Sequence, residues 1–355
     1  MYATLRKRRN MITYRRPSAL RLFTLVFALV AGLAVALGAM SSAAQAAPLG
    51  TLKQFKVPTD NSQPRHITLG ADGNLWFTES NPSFPSPPNV GRITPTGDVT
   101  EFPVCLDGCL PNDIVQGPDD VLFFTQNDPG LGRITTSGEV LPDVAPVDEQ
   151  GNPITNAIGN GIAAHGDDIW FTDFNNNSLW RYNTASGDFT EFPVPTPGAN
   201  PYDVAVDADG IVWFTESGES GAIGRLDPTT GTFTETPVPG GSPRQIAVSS
   251  DGKVWFTDRI NHRVGYLDPS NDEVTQFDTL TPNAGPEDIV AAPDGSVWFT
   301  QTLTGNVARI TPDGVITEGK RVKNSEPFGI TMGPDGRSVW YTMMSANKIA
   351  RLTTK

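Results

Sequence analysis

The chain has 355 residues, with 35 glycines, 31 prolines and only 18% charged residues. Such a composition favours many short strands and turns over long helices. The formal net charge is −13, and a surface of that sign repels nucleic-acid backbones and anionic lipid, so neither is an expected partner.

Residues 1–21 carry seven of the 26 basic residues and none of the 39 acidic ones. An apolar run over residues 22–40 follows, and then small residues with an A-x-A site at Ala44-Gln45-Ala46. This order is that of a secretory signal peptide spanning residues 1–46, cut near Ala46. The run is long enough for an uncleaved anchor, but the A-x-A site favours cleavage and a secreted, extracellular product without a membrane segment. Arg15-Arg16 raises twin-arginine export, although Pro17-Ser18-Ala19 fit that signal poorly. Cleavage takes the net charge from −13 to −20. Cys105 and Cys109 are the only cysteines. In an exported chain this C-x-x-x-C pair reads as a local disulfide, because two thiolates alone do not complete a zinc shell.

From residue 47 onward the sequence repeats. Leu75-Trp76-Phe77-Thr78-Glu79 recurs around Phe123, Trp170, Trp213, Trp255, Trp298 and Trp340, at spacings of 47, 47, 43, 42, 43 and 42 residues. A short apolar segment precedes each copy, and in five copies an Asp-Gly turn joins the two, as at Asp72-Gly73 and Asp209-Gly210. That is a hairpin signal. A strand with Gly-Arg-Ile or a variant comes next, and a strand of the type Thr-Glu-Phe-Pro-Val closes the unit. Four strands per repeat at this period predict an all-β fold, a seven-bladed β-propeller of four-stranded antiparallel blades over residues 47–355. The seventh copy stops after its third strand, and residues 51–58 match the missing fourth one. The N-terminal strand is therefore expected to complete blade seven and leave no bare edge. The repeated tryptophans are expected as core between blades. The third-strand arginines are expected to bond the backbone of the neighbouring blade.

A ligand site is expected at the channel mouth, on the face made by the loops from strand four to strand one and from strand two to strand three. Insertions at residues 82–89, 105–110 and 143–157 fall in those loops. Two rings of side chains are expected there. One precedes strand one: Arg65, Asn112, Asn160, Tyr202, Arg244, Glu287 and Phe328. The other follows Trp-Phe-Thr: Glu79, Gln126, Asp173, Glu216, Asp258, Gln301 and Met343. Acids facing a shared channel would hold Mg²⁺ or Ca²⁺ through oxygen ligands, with Glu326 as a further candidate. A hydrogen-bonded polar ring with water fits the same spacing. Of the three histidines only His66, beside Arg65, is placed for chemistry.

The repeat, as in Pro293-Asp294-Gly295 before Val297-Trp298-Phe299-Thr300 and Gly91-Arg92-Ile93 before Thr100-Glu101-Phe102-Pro103, resembles the virginiamycin B lyase family over nearly all of residues 47–355. Asn261-His262-Arg263-Val264 also looks like an NHL repeat. The resemblance implies a lyase that opens a cyclic depsipeptide by elimination at an ester, with a histidine base and a Mg²⁺ near a glutamate. By that resemblance the family's two histidines align with Glu287 and Phe328, its glutamate with Met343 or Met344, and a tyrosine near the substrate with Arg65. An acid two positions before the second histidine is kept as Glu326. The expectation is a secreted, monomeric propeller that binds a small molecule, glycan or peptide at the mouth without the family's chemistry. The alternative is a divalent-metal lyase or lactonase acting on a cyclic ester, with His66 or Glu287 as base.

Overall fold

The computed structural model describes residues 49–81, 88–104, 109–127, 130–147, 154, 159–219 and 221–353. The predicted signal peptide lies outside them. Every regular element among the described residues is a strand, and the strands form seven four-stranded antiparallel sheets. Their innermost strands are Pro64–Leu69, Ile114–Gln116, Ile162–His165, Pro201–Val206, Ile246–Val248, Pro286–Ala291 and Pro327–Met332. Neighbouring blades touch along these strands, and the first lies against the seventh. The fold is the expected propeller.

Burial follows the radius of each blade. The second strand is buried on both faces, as in Leu75–Glu79 and Val212–Glu216. The fourth is half exposed, as in Val99–Pro103. A strand covered on both sides reads as a continuous apolar run, which is why two aromatic residues and a threonine recur in every unit. The tryptophans pack against the next blade: Trp340 meets Leu75, Phe77 and Ile93, and Trp76 meets Leu122, Phe124 and Ile134. The Asp-Gly turns need a left-handed residue, and Gly73 and Gly210 supply it at φ of 76° and 80°.

The third-strand arginines correct the expectation for them. Arg92 and Arg351 reach carbonyls of the next blade, at Thr136 and Pro95. Arg133 and Arg309 instead bond within their own blades, to Pro142 and to Asp294 and Ser296. What recurs is stacking on the second-strand tryptophan directly opposite, in the pairs Arg92–Trp76, Arg181–Trp170, Arg225–Trp213, Arg309–Trp298 and Arg351–Trp340. Each guanidinium lies over the face of a buried indole and gains a cation–π contact.

The ring closes as predicted. Thr51–Lys56 pairs antiparallel with Lys348–Thr353, Thr51 opposite Thr353 and Lys56 opposite Lys348. Phe55 stacks on Trp340 with ring centres 5.6 Å apart.

A second device joins all seven blades. The inner strand leaves regular pairing just after the residues that precede it, with register shifts such as Pro64/Ile67 and Pro286/Ile289. The freed N–H of His66, Asp113, Gly161, Asp203, Gln245, Asp288 or Gly329 donates to the threonine hydroxyl of its own Trp-Phe-Thr, at 2.9–3.2 Å. Each hydroxyl then donates onward to a carbonyl of the next blade. The acceptors are Asn112, Asn160, Tyr202, Arg244, Glu287, Phe328 and, across the closing seam, Arg65, at 2.5–3.4 Å. These threonines are completely buried. A buried hydroxyl that satisfies one N–H and one carbonyl leaves no orphan at the seam.

Candidate functional site at the channel mouth

The same threonine bonds set the mouth. Because each carbonyl they hold belongs to the residue at the same point of its blade, at or just before the start of the first strand, those seven residues stand at one height around the channel. The structure brings this ring together. Tyr202 lies 4.3 Å from the Arg244 guanidinium, measured to the ring centre, and Arg244 Nη2 donates to the phenol oxygen at 2.6 Å. Arg244 also pairs with Glu287 at 3.7 Å, and Arg259 pairs with the same carboxylate at 2.9 Å. Arg65 stacks over Phe328 at 4.9 Å. Asn112 Nδ2 donates to the Asn160 carbonyl at 3.0 Å. Burial raises the Tyr202 phenol above 10.0; Arg244 and Arg65 oppose that rise and Glu287 adds to it. The mouth thus carries Arg65, Arg244 and Arg259 against one carboxylate, in a chain of net charge −13.

One residue deeper lies a cluster that the sequence reading missed. His66, Asp113, Asp203 and Asp288 are four of the seven residues whose N–H groups the threonines hold. Asp113 accepts from Ile114 and from Ile162 of the next blade, at 2.8 and 3.3 Å. Asp203 does the same for Val204 and Ile246, and Asp288 for Ile289 and Ile330. Each aspartate spans two blades, so three of them tie blades two to seven in pairs. Seven is odd, and blade one is left over. His66 fills that gap, with Nδ1 3.4 Å from Asp113 and 3.7 Å from Asp288. It reaches Asp288 past Gly329, where a Cβ would lie 2.6 Å from the His66 Cα. The signal was present as Asp-Ile or Asp-Val in every second unit, at Asp113, Asp203 and Asp288.

Burial would lower the His66 pKa, but Asp113 and Asp288 outweigh it and the net direction is upward from 6.5. Burial lifts Asp113 and, aided by the neighbouring aspartates, lifts Asp203 well above 3.8. Phe328 packs edge-on over His66 at 5.2 Å, so this histidine lies beneath the mouth, only 6% exposed, and does not face a ligand as a base would.

The ring that follows Trp-Phe-Thr does not converge on the channel. These side chains point along their own blades toward the third and fourth strands. Gln126 donates to Asp143, Gln301 to Glu318, and Asn89 to Glu79. Asp173 and Asp258 accept from Asn176 and Asn261 in the following turns. Glu216 lies against Glu235, whose two oxygens already accept from the Thr196 N–H and hydroxyl. Burial, and then repulsion from the fourth-strand glutamate, pushes Glu79 and Glu216 up to about 8. Met343 is fully buried among Trp298, Tyr341 and Ala350. Among the described residues no three His, Cys, Asp or Glu side chains are grouped to hold a metal ion.

Glu326 accepts from the Ser345 hydroxyl and lines a cavity of about 430 Å³ with Asn61, Gln63 and Asn347. The positions that the resemblance gives to the family's histidines and Mg²⁺-side glutamate do not fit a Mg²⁺ site. Glu287 is already flanked by two guanidinium groups, and neither Phe328 nor Met343 offers an oxygen. Cys109 is disulfide-bonded; Cys105 lies outside the described residues, as does most of the three insertions.

The sequence profile of the virginiamycin B lyase family matches residues 42–240 and 231–355. No curated protein sequence is similar to the chain. Among solved structures, a streptogramin B lyase is 28% identical with a TM-score of 0.76, covering 86% of this chain and 98% of its own. A catalytically inactive histidine-to-alanine virginiamycin B lyase from Staphylococcus aureus, solved with quinupristin, is likewise 28% identical, with a TM-score of 0.76 over 86% and 99% of the two chains. Hydrazine synthase of Kuenenia stuttgartiensis, 14% identical with a TM-score of 0.70 over 84% and 97%, shares the fold alone. With the profile covering nearly all of the propeller and the lyases matching it end to end, the chain belongs to the virginiamycin B lyase family.

Proposed function

We propose that this family member is a secreted binding propeller that takes a ligand at its channel mouth and does not run the lyase reaction. The observation that carries the reading is the Tyr202–Arg244–Glu287–Arg259 chain. The carboxylate where the family has a histidine is ion-paired on two sides, and Phe328 and Met343 can neither abstract a proton nor ligate a hard cation. What remains is a rigid ring of aromatic, amide and guanidinium groups on a scaffold whose loops elsewhere carry binding.

The test uses the chain from residue 47 onward. Quinupristin with millimolar Mg²⁺ is incubated with it and followed by chromatography and fragmentation, since elimination leaves the mass unchanged. The expected outcome is unopened ligand. In parallel, glycan and peptide arrays are probed with the same chain and with Tyr202→Ala, which should lose the hits. Mg²⁺-dependent ring opening would transfer the assignment to the metal-dependent lyase reading. Hits that survive Tyr202→Ala would move binding away from the mouth.

A further inference from the structure

We infer that the mouth takes a hydroxylated carboxylate, a ligand of the uronic-acid class, with its carboxylate on Arg65 and a neighbouring hydroxyl on Asn112; this rests on the reading that the mouth is the binding site. Arg65 is half-buried, and its Nε is sealed from solvent with no hydrogen-bond acceptor. Among the described residues its guanidinium has no counter-ion, whereas Arg244 and Arg259 share Glu287. A guanidinium with one N–H sealed and unpaired is left under-satisfied, and a carboxylate is the group whose geometry matches a guanidinium edge.

The second orphan is an acceptor. Asn112 Nδ2 donates to the carbonyls of Asn160 and Gly159, which fixes the amide orientation and leaves Oδ1 buried without a donor. The two orphans sit at equivalent positions of adjacent blades, because Thr78 holds both the His66 N–H and the Asn112 carbonyl. An unpaired donor on one blade and an unpaired acceptor at the equivalent position of the next call for an anionic oxygen and a hydroxyl. The flank is polar as well. The cavity of about 430 Å³ is walled by Gln63, two residues before Arg65, and by Glu326, two residues before Phe328.

The experiment is calorimetric titration of the chain from residue 47 onward with galacturonate tetramer, with the neutral galactose tetramer and with tetraglutamate. The galacturonate tetramer should bind at least about tenfold tighter than the neutral one. Arg65→Met should erase that preference, and Asn112→Ala should weaken the acid oligomer severalfold, with melting curves of both variants confirming folding. Equal binding of acid and neutral sugar overturns the inference while the mouth reading stands, provided Tyr202→Ala abolishes both. Tighter binding of tetraglutamate overturns the sugar-acid class. Binding of none of the three overturns the inference, and the fate of the mouth reading is then decided by the arrays with Tyr202→Ala.

Discussion

Replacing Glu216 with glutamine should stabilise the protein, and only above acid pH. Glu216 is 4% exposed and faces Glu235, whose oxygens are both engaged by Thr196. Burial, and then repulsion from Glu235, holds Glu216 neutral, with a pKa of about 8 against 4.5 for the free side chain. The sign follows from the direction of the shift. A carboxyl raised in the native state contributes its stability below the unfolded value and loses it as pH climbs toward the folded one. At about 1.4 kcal/mol per unit, the native state loses up to about 3 kcal/mol through this group between about pH 5 and about pH 7.5. Blade six shows what the position accepts instead: Gln301 Nε2 donates to Glu318 at 3.2 Å, and Glu318 in turn engages Thr281 as Glu235 engages Thr196. Glu216→Gln supplies the same donor without the proton. Urea unfolding of both chains, followed by tryptophan fluorescence, should show a gain of up to about 3 kcal/mol for the variant near pH 7.5 and under about 1 kcal/mol near pH 5. Glu79 leaves a residual slope in both. A variant no more stable than the parent near pH 7.5, or one with the parent's pH slope, would refute the claim that Glu216 is neutral in the fold.

Two further outcomes test the seams. Thr342→Val keeps the shape but orphans the Gly329 N–H and the Arg65 carbonyl. It should cost about 2 kcal/mol or more in thermal or denaturant unfolding, while Thr353→Val at the exposed rim should stay within about 0.5 kcal/mol. The His66 imidazole should titrate above 6.5 by NMR, and Asp288→Asn should lower that midpoint, because the carboxylate 3.7 Å from Nδ1 is one of the two that raise it. Stability from this group is present below 6.5 and fades as pH rises through the native value, so an unshifted midpoint or one unmoved in Asp288→Asn would remove the ion cluster from the account.

The repeat spoke for itself in the sequence. Seven copies of Trp-Phe-Thr or a close variant, the turns between them and a spare fourth strand at residues 51–58 were enough for blade count, strand count and closure, because each is a local pattern with a fixed period. The ring from Arg65 to Phe328 was legible for the same reason. The ring from Glu79 to Met343 was just as periodic, yet it was placed wrongly. Period two puts Glu79 on the side of Phe77, but whether that side faces the channel or the outer strands depends on how the blade is inclined. Only the register of Glu79 opposite Asn89 decided that. The threonine bridges, the arginine–tryptophan stacks and the His66 cluster all join residues of different strands, and several join different blades. Blades one and seven meet through Thr342 and Arg65, 277 residues apart. A single chain with a regular repeat states what each blade contains. How an odd number of blades shares alternating aspartates, and which residue is left without a partner, arises only when the ring is closed.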